Sequence, residues 1–348
     1  MTDQTRHPDK TPVSRTKPIV AVTMGDPAGI GPEVTVKAAA RKELWDCCRL
    51  LVVGDAAVLT AAVELTGVSL AVHPVTDVAE AEFWPSALDV LDLGSVNVAD
   101  VAPGEVSPVA GESSIAYVRQ ATELAIHGQV DALATGPINK AAVRAAGIPY
   151  VGHTELLAAI TGEDRVTTML ATSGLRVVHV TRHVALADVA PLITRERVLE
   201  TLRITHRGLK QMGLREPRLA VAALNPHGGD GGLIGREERD EIRPAVEDAV
   251  DQGIDAHGPI PADSVFFQAI DGAFDAVVAM YHDQGHIPIK THDFAHSVTV
   301  TLGLPIVRTS VDHGTALEIA WQGEADETSM VEAIRLAAEL ADARRTIT

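Results

Sequence analysis

Two histidines stand in loops that are rich in glycine, proline and small polar residues. His227 lies in the stretch Leu-Asn-Pro-His-Gly-Gly-Asp-Gly-Gly, and His282 lies in Tyr-His-Asp-Gln-Gly-His. Neutral imidazole is a common ligand of divalent transition metals, and three such ligands leave positions open for a substrate. The chain has 14 histidines, and chemistry alone selects only His227 and His282 as metal-ligand candidates. The alternative for each is an ordinary surface or core histidine.

Two cations are placed where they could bind a phosphate or a carboxylate. Lys290 follows the His282 motif, and Arg308 follows the apolar stretch Gly-Leu-Pro-Ile-Val. The formal net charge is −18, from 29 Lys plus Arg against 47 Asp plus Glu. An acidic surface argues against nucleic-acid binding, which needs a basic stripe. The positive contacts to an anionic substrate must therefore be few and local.

Small-residue turns recur where apolar stretches end. Residues 24–33 read Met-Gly-Asp-Pro-Ala-Gly-Ile-Gly-Pro-Glu, residues 135–140 read Thr-Gly-Pro-Ile-Asn-Lys, and residues 152–155 read Gly-His-Thr-Glu. The first could bring backbone N–H groups at a helix N-terminus close to an anion; the alternative is a tight strand-to-helix turn. In the third, Thr154 could be only a helix cap. Neither G-x-G-x-x-G nor G-x-x-x-x-G-K-[ST] occurs.

Short apolar runs alternate with helical patterns along the chain. Several runs are apolar on both faces, as parallel strands between helix layers are. The pattern predicts an α/β fold. Strands are predicted at 19–24, 50–53, 132–135, 166–171, 175–180, 219–224, 276–280 and 298–302, and helices at 32–42, 56–65, 113–127, 196–212, 237–252 and 327–343.

The remaining composition indicates a cytoplasmic protein. Only Cys47 and Cys48 are present, which excludes a disulfide framework. No apolar run of about 18 residues exists, so we expect no membrane partner. Residues 1–16 are polar and lack an apolar core, and we interpret them as a disordered tail and not as a signal peptide.

Several motifs together identify a family. The three turns above, Leu-Asn-Pro-His-Gly-Gly-Asp-Gly-Gly, Pro-Ala-Asp-Ser at 261–264, Tyr-His-Asp-Gln-Gly-His and Gly-Leu-Pro-Ile-Val-Arg-Thr-Ser-Val-Asp-His-Gly-Thr-Ala appear in one order over about residues 18 to 330. In this respect the chain resembles the 4-hydroxythreonine-4-phosphate dehydrogenases.

The resemblance implies a fold like that of the isocitrate and isopropylmalate dehydrogenases. We expect two α/β domains with a cleft between them, residues 17–150 with 295–348 and residues 151–294, and a homodimer with shared active sites. It also implies the site residues: three metal-ligating histidines, four substrate contacts, and acidic groups that support them. The metal ligands fall on His183, His227 and His282, the substrate contacts on His153, Thr154, Lys290 and Arg308, and the supporting acids on Asp263 and Asp283.

One position departs from the family pattern. Where the family has Gly-Val-Asn and the Asn contacts substrate, this chain has Ser-Val-Thr, so that Thr299 takes the place of the Asn. A hydroxyl lacks the reach of an amide and its paired donor and acceptor. The substrates that relatives use include 4-phosphohydroxy-L-threonine, 4-phosphoerythronate, 4-phosphothreonate and carboxylated cis-dihydrodiols.

The chemistry that the resemblance implies is oxidation of a secondary alcohol by NAD or NADP. The alcohol lies β to a carboxylate, so the keto product loses CO₂. One divalent metal (Zn, Mg, Mn or Co) would lower the pKa of the hydroxyl and stabilise the enolate. Lys290 would move a proton or bind an anion, and Asp283 would orient a metal-bound imidazole. The choice of nucleotide, of metal, and of pyridoxine biosynthesis against sugar-acid breakdown stays open.

Two functions of other classes remain as alternatives. A phosphate acyltransferase has a similar two-domain fold and needs no nicotinamide. A metallohydrolase could use the same histidines to activate water. The joint presence of the three histidines argues against the acyltransferase. Production of NAD(P)H from a phosphorylated hydroxy acid would argue against the metallohydrolase.

Overall fold

The computed structural model describes residues 16–150 and 152–346. Apart from Thr16, the predicted tail lies outside the described residues. Contacts within the chain divide it into two compact units. Unit 1 runs up to Gly162 and resumes from Leu304 to Arg345, and unit 2 runs from Glu163 to Gly303. The domain boundaries predicted above, after residue 150 and before residue 295, stay predictions.

Unit 1 contains a parallel sheet covered by helices. Its strands pair in the order β3-β4-β2-β1-β5-β12, all parallel, where β1 is Ile19–Thr23, β2 Arg49–Gly54, β3 Ala71–Val75, β4 Ala87–Asp92, β5 Ala132–Thr135 and β12 Val307–Val311. Its helices are α1 (Gly31–Ala39), α2 (Lys42–Cys47), α3 (Ala56–Thr66), α4 (Pro108–Ile126), α5 (Lys140–Ala145), α6 (His153–Thr161) and α12 (Thr328–Arg345), with 3₁₀ turns at Val78–Glu80 and Val98–Asp100. The inner strands β1, β2, β5 and β12 are almost wholly buried, because α4 and α12 pack against them.

Unit 2 contains a mixed sheet. Its strands pair in the order β11-β6-β7-β10-β8-β9, where β6 is Thr167–Thr172, β7 Leu175–His179, β8 Leu219–Ala222, β9 Ala256–Ile260, β10 Ala276–Ala279 and β11 Val298–Leu302. The β11–β6 and β6–β7 pairs are antiparallel, and the others are parallel. The helices are α7 (Val189–Leu192), α8 (Arg195–Gln211), α9 (Arg243–Asp251), α10 (Ala262–Ile270) and α11 (His282–His292), with a 3₁₀ turn at Leu186–Asp188 and a π-helical turn at Glu238–Ile242 that leads into α9.

Local sequence explains where several elements begin. Pro32 stands in the first turn of α1, where its missing N–H costs no hydrogen bond. The Asn139 side chain caps α5 by accepting from the N–H groups of Ala141 and Ala142. In unit 2 the Gln284 side chain accepts from the N–H of Met280 and donates to the carbonyl of Ala223, so it ties the ends of β10 and β8 to α11.

The α/β class predicted from the sequence is confirmed, and every predicted strand corresponds to a strand of the structure. In the part of the chain that the structure describes, no helix is both long and apolar enough to cross a membrane.

Candidate active-site residues in the two units

A cluster of imidazoles forms in unit 2 where two parallel strands end. Ala279 of β10 pairs with His179 of β7, so the two strands end at the same edge of the sheet. The loop after β7 carries His183, and α11 begins at His282. The ring centroids of His183 and His282 lie 5.8 Å apart. The structure thus brings together two of the three predicted metal ligands.

Two further histidines, which the sequence reasoning did not select, belong to this cluster. The ring of His286 stacks on that of His282 with a centroid distance of 3.5 Å, and its Nδ1 lies 3.2 Å from Nε2 of His179. His179 is buried, and burial together with the neighbouring histidines lowers its pKa to about 3. Residues four apart share one face of a helix. The spacing of His282 and His286 would have identified this pair once the start of α11 was known.

Asp283 contacts the imidazole that it was predicted to orient. Its Oδ1 lies 2.7 Å from Nδ1 of His282. A carboxylate at this position favours the tautomer that protonates Nδ1, which leaves Nε2 as the free ligand atom. Asp263 is exposed in the first turn of α10. The supporting roles of both residues stay predictions.

His227 stands on a turn of unusual backbone. Residues from His227 to Gly231 all have positive φ, with 54° at His227 itself, a conformation that favours glycine. The turn is anchored at its base, since Asn225 donates its backbone N–H to Glu238 and its side-chain N–H to Glu237 and Glu238. The His227 side chain is exposed.

The described residues do not contain a complete metal site. Among them, no three His, Cys, Asp or Glu side chains are arranged so that they could hold a metal ion together. The set His183, His227 and His282 therefore does not form a metal site within the described residues of the single chain. The metal role of these residues stays a prediction.

Lys290 and Thr299 also lie in unit 2. Lys290, in the last turn of α11, donates to the hydroxyl of Ser297 at 3.0 Å, and its ammonium lies 4.6 Å from the centroid of the Phe294 ring. Thr299 is the second residue of β11 and is half-buried.

Arg308 is a buried cation of unit 1. Its side chain is held by the neighbouring strand, where Nε and Nη2 both donate to the hydroxyl of Thr135, at 3.1 and 2.6 Å. Burial lowers the pKa of Arg308 to about 9. A cation in such a place interacts strongly with any anion that reaches it, because little water screens the charge.

His153 begins α6 and lies near Arg308. Burial is the main cause that holds its pKa well below the usual value, and the charges of Arg308 and Lys140 act in the same direction. Its Nε2 is buried and has no hydrogen-bond partner. Thr154 follows in the first turn of the helix; the cap residue is Gly152, so the alternative reading of Thr154 as the helix cap is wrong.

The first glycine-rich turn packs tightly against other loops of unit 1. A Cβ atom at Gly25, whose φ is +77°, would lie 2.5 Å from the carbonyl oxygen of Pro137, and one at Gly29 would lie 2.8 Å from Cβ of Thr315. Close packing therefore explains these glycines without a ligand. Asp26 is buried between them, and burial raises its pKa to about 6.

Comparison with known proteins gives the family. The model of the family described as "Pyridoxal phosphate biosynthetic protein PdxA" matches residues 46–337. The chain belongs to the PdxA family. A protein of Symbiobacterium thermophilum named "Putative D-threonate 4-phosphate dehydrogenase" is 49% identical, over 95% of this chain and 99% of the relative. A 4-hydroxythreonine-4-phosphate dehydrogenase of Geobacter metallireducens is also 49% identical, over 94% and 96% of the two chains.

Solved structures agree with this assignment. The crystal structure of 4-hydroxythreonine-4-phosphate dehydrogenase from Klebsiella pneumoniae has a TM-score of 0.88 at 42% identity and covers 93% of this chain and 99% of that one. The predicted family and the predicted enzyme class, a dehydrogenase, are confirmed. A branched-chain phosphotransacylase from Enterococcus faecalis shares the fold alone, at 14% identity and a TM-score of 0.51 over 92% and 99% of the chains. The family match, and not the fold, thus separates the dehydrogenase from the acyltransferase alternative.

Proposed function

We propose that this PdxA-family dehydrogenase oxidises, with NAD or NADP, the C3 alcohol of a four-carbon hydroxy acid that carries a phosphate on C4. The observation that carries the proposal is the pair of relatives at 49% identity, whose names specify substrates with this one skeleton. The buried cation Arg308 and the half-buried Lys290 give an acidic protein the local positive charge that a substrate with both a phosphate and a carboxylate needs.

Of the two compounds, we propose D-threonate 4-phosphate as the substrate and 4-phosphohydroxy-L-threonine as the second candidate. The two differ at C2, which bears a hydroxyl in the first and an ammonium group in the second. Thr299 favours the first, because a hydroxyl both donates to and accepts from another hydroxyl, whereas an amide oxygen is the better fixed acceptor for an ammonium group.

A substrate panel tests the choice. D-threonate 4-phosphate, D-erythronate 4-phosphate and 4-phosphohydroxy-L-threonine are each offered with NAD and with NADP, and absorbance at 340 nm is followed. We expect the highest kcat/KM with D-threonate 4-phosphate. A higher value for 4-phosphohydroxy-L-threonine would reverse the assignment, and turnover of unphosphorylated D-threonate alone would refute the whole proposal.

The reaction has two steps that balance without another reagent. The C3–H bond gives its hydride to the nicotinamide and the hydroxyl gives up its proton, so the alcohol becomes a ketone as the nucleotide is reduced. The ketone is β to the carboxylate, whose C–C bond then breaks to release CO₂ and an enolate that takes up a proton. Lys290 is the residue proposed to hold or return this proton, because its ammonium group is already fixed by Ser297.

We further propose a homodimer in which two chains complete a divalent-metal site on His183, His227 and His282. Three neutral imidazoles suit zinc, magnesium, manganese or cobalt to different degrees, and a bound ion would stabilise the alkoxide and enolate oxygens. Each histidine has exposed aliphatic neighbours, as expected for surfaces that a partner covers. These neighbours are Val184, Leu186, Leu233, Ile234 and Ile287, whose exposure ranges from 39% to 85%.

Mixing inactive variants tests the shared site. If His227 of one site comes from the partner of the chain that supplies His183 and His282, a dimer of one His227→Ala chain and one His282→Ala chain keeps one intact site. Unfolding and refolding the two variants together should then restore about one quarter of the wild-type activity, since half of the dimers are mixed and each has one of two sites. No recovery, with dimers formed, would place His227 and His282 of one site on the same chain and refute the shared site.

We also propose a cytoplasmic location, which the free cysteines Cys47 and Cys48 support.

A further inference from the structure

The two cysteines of the chain are neighbours, and both contact the same carbonyl group. Cys47 is the last residue of α2, and Cys48 follows it directly and leads into β2. The carbonyl of Leu44 accepts from Sγ of Cys47 at 3.2 Å and from Sγ of Cys48 at 3.3 Å, and it also accepts from the backbone N–H of Cys48 at 2.9 Å. The two sulfur atoms therefore lie on the same side of the chain, around one oxygen atom.

The two thiols differ in what can reach them. Cys47 is half-buried, whereas the side chain of Cys48 is completely buried. The adjacent Cys48 thiol is the main cause that lowers the pKa of Cys47, and the charge of Lys17 acts in the same direction against the effect of burial. Lys17 is held close by, because its ammonium group donates to the carbonyl of Trp45 at 2.9 Å. Since the thiolate is the reactive form, Cys47 is the thiol that a reagent from solvent meets first.

Cys48 is placed to react second. Contact with Cys47 and burial raise the pKa of the Cys48 thiol, so it stays protonated and shielded from solvent while Cys47 is intact. The chain contains no other cysteine that could compete with it for an oxidised Cys47. A reactive thiol with a second thiol beside it is the arrangement of a redox-sensitive cysteine pair.

We propose that Cys47 and Cys48 form an oxidation site, at which a hydroperoxide converts Cys47 to a sulfenic acid and Cys48 then closes a disulfide between the two neighbours. In the first step the Cys47 thiolate attacks an oxygen of the hydroperoxide, so that an S–O bond forms and the O–O bond breaks. The leaving oxyanion takes up the proton that Cys47 has lost. In the second step the Cys48 sulfur attacks the Cys47 sulfur, so that an S–S bond forms, the S–O bond breaks, and water leaves with the Cys48 proton. The two sulfur atoms together lose two electrons, and the hydroperoxide gains them.

A disulfide between neighbouring residues is strained and therefore easily reversed. Consecutive Cα atoms are about 3.8 Å apart, whereas most disulfides join Cα atoms that are at least about 4.4 Å apart. Strain of this kind makes the bond easier to reduce. The bond also removes both S–H donors from the carbonyl of Leu44, at the turn that joins α2 to β2. We therefore expect a reversible modification that lowers the stability of the folded chain.

Mass spectrometry tests the chemistry on the full chain. The chain is treated with hydrogen peroxide, the remaining thiols are alkylated with iodoacetamide, and the peptide that contains both cysteines is analysed. We expect this peptide to lose the mass of two hydrogen atoms and to take up no alkyl group, and we expect dithiothreitol to restore both alkylations. Two alkylated cysteines after peroxide, a sulfinic acid at Cys47, or a disulfide between two chains would each refute the proposal.

Single substitutions separate the two roles. The remaining thiol should react with peroxide at least about tenfold more slowly in Cys47→Ser than in Cys48→Ser, because Cys48 is buried and Cys47 is not. Cys48→Ser should accumulate the sulfenic acid of Cys47, which dimedone traps, whereas the wild type should not. Cys48→Ala is the second variant if Cys48→Ser fails to fold, since alanine adds no buried hydroxyl. Equal rates in the two serine variants, or an equal dimedone adduct in the wild type, would show that the cysteines do not act as a pair.

Thermal unfolding measures the consequence for the fold. Oxidation should lower the first Tm of the wild type by about 3 °C, and dithiothreitol should restore it. Cys47→Ser is the matched control, because peroxide still oxidises the methionines of this variant but cannot form the disulfide. An equal shift of Tm in the wild type and in Cys47→Ser would refute the effect on stability. Neither substrate nor nucleotide is present in these experiments, so their outcome is independent of the function proposed above.

Discussion

The two units hold their candidate groups in opposite ways. In unit 1, Arg308 and Asp26 are buried; Arg308 donates to the hydroxyl of Thr135, and Asp26 accepts from the backbone N–H of Ala28. In unit 2, His183 and His282 are partly or largely exposed, and the rings of His179, His282 and His286 contact one another. Buried groups with fixed partners form a preorganised site, whereas exposed imidazoles are open to the metal ion and the partner chain that we propose for unit 2. We therefore expect substitutions in unit 1 to change the affinity of the single chain for anions. Substitutions in unit 2 should instead change metal content and the formation of the dimer.

Replacement of His282 should give the largest effect. His282→Ala removes a proposed metal ligand, and loss of metal stabilisation of several kcal/mol corresponds to a fall in kcat/KM of about 10³-fold. Metal content, measured by mass spectrometry on the dialysed protein, should fall together with activity. His257→Ala is the control, since His257 is an exposed histidine of the same unit paired with Asp255. Full metal content in inactive His282→Ala would remove this residue from the ligand set.

Replacement of Arg308 should lower activity less and leave metal content unchanged. Truncating one partner of a buried charge pair costs about 2–5 kcal/mol, so Arg308→Gln should lower kcat/KM about 10²-fold, mainly through KM. Burial lowers the pKa of Arg308, so any weakening of substrate affinity through loss of this charge should be confined to strongly alkaline pH. Arg335→Gln, on the surface of α12 with Glu332 as its partner, is the control. A metal-dependent defect in Arg308→Gln would contradict the separation of the two units.

A strand can be predicted from the sequence when its residues form a continuous apolar run. The inner strands β1, β5 and β10 are continuous apolar runs and were predicted. The edge strands β3 and β9 are half exposed and contain proline, so their pattern is weak. β12 was missed for another reason, because Arg308, Thr309 and Ser310 are buried polar residues within it. A strand that contains the site loses the apolar pattern by which strands are recognised.

The candidate site shows the same division. Loop composition indicated His282, local charge indicated Arg308, and the family motifs added His153. No pattern in the sequence indicates that Thr135 accepts from Arg308, because the two are 173 residues apart. Such a contact depends on the pairing of β5 with β12, which local sequence does not encode. The stacking of His286 on His282 is local and can be predicted from helix periodicity, because residues four apart lie on one face of a helix.

Replacement of Asp283 tests whether the metal affinity of the histidine cluster in unit 2 depends on the tautomer of His282. Asp283→Asn replaces the carboxylate that lies 2.7 Å from Nδ1, and loss of such a partner lowers metal affinity about 10- to 100-fold. The dissociation constant for cobalt, followed by its visible absorption, measures this directly. Asp255→Asn changes the matched pair of Asp255 and His257 outside the cluster and should leave the affinity unchanged. An unchanged cobalt affinity in Asp283→Asn would show that the contact with His282 is incidental.

Replacement of Asp26 should give the smallest effect, and it should raise the stability of the folded chain instead of lowering it. Its folded pKa of about 6 exceeds the ordinary value of 3.8, so the folded chain binds the proton more tightly than the unfolded one. Stability from this group is therefore present at low pH and is lost as the pH rises from about 4 through 6. Asp26→Asn keeps a neutral acceptor for the N–H of Ala28, and at pH 8 it should raise the free energy of unfolding by at most about 3 kcal/mol.

Thermal unfolding at pH 5 and pH 8 checks the prediction for Asp26. We expect Asp26→Asn to raise Tm by about 5 °C at pH 8 and by clearly less at pH 5, where the wild-type carboxyl is already largely protonated. Asp77→Asn is a close control, because Asp77 accepts from the N–H two residues on at the same 2.8 Å but is exposed; it should show no such pH dependence. A lower Tm for Asp26→Asn at pH 8 would mean that the buried carboxylate is stabilised when ionised. A higher Tm with lost activity would instead show that unit 1 keeps an unfavourable buried charge because the reaction needs it.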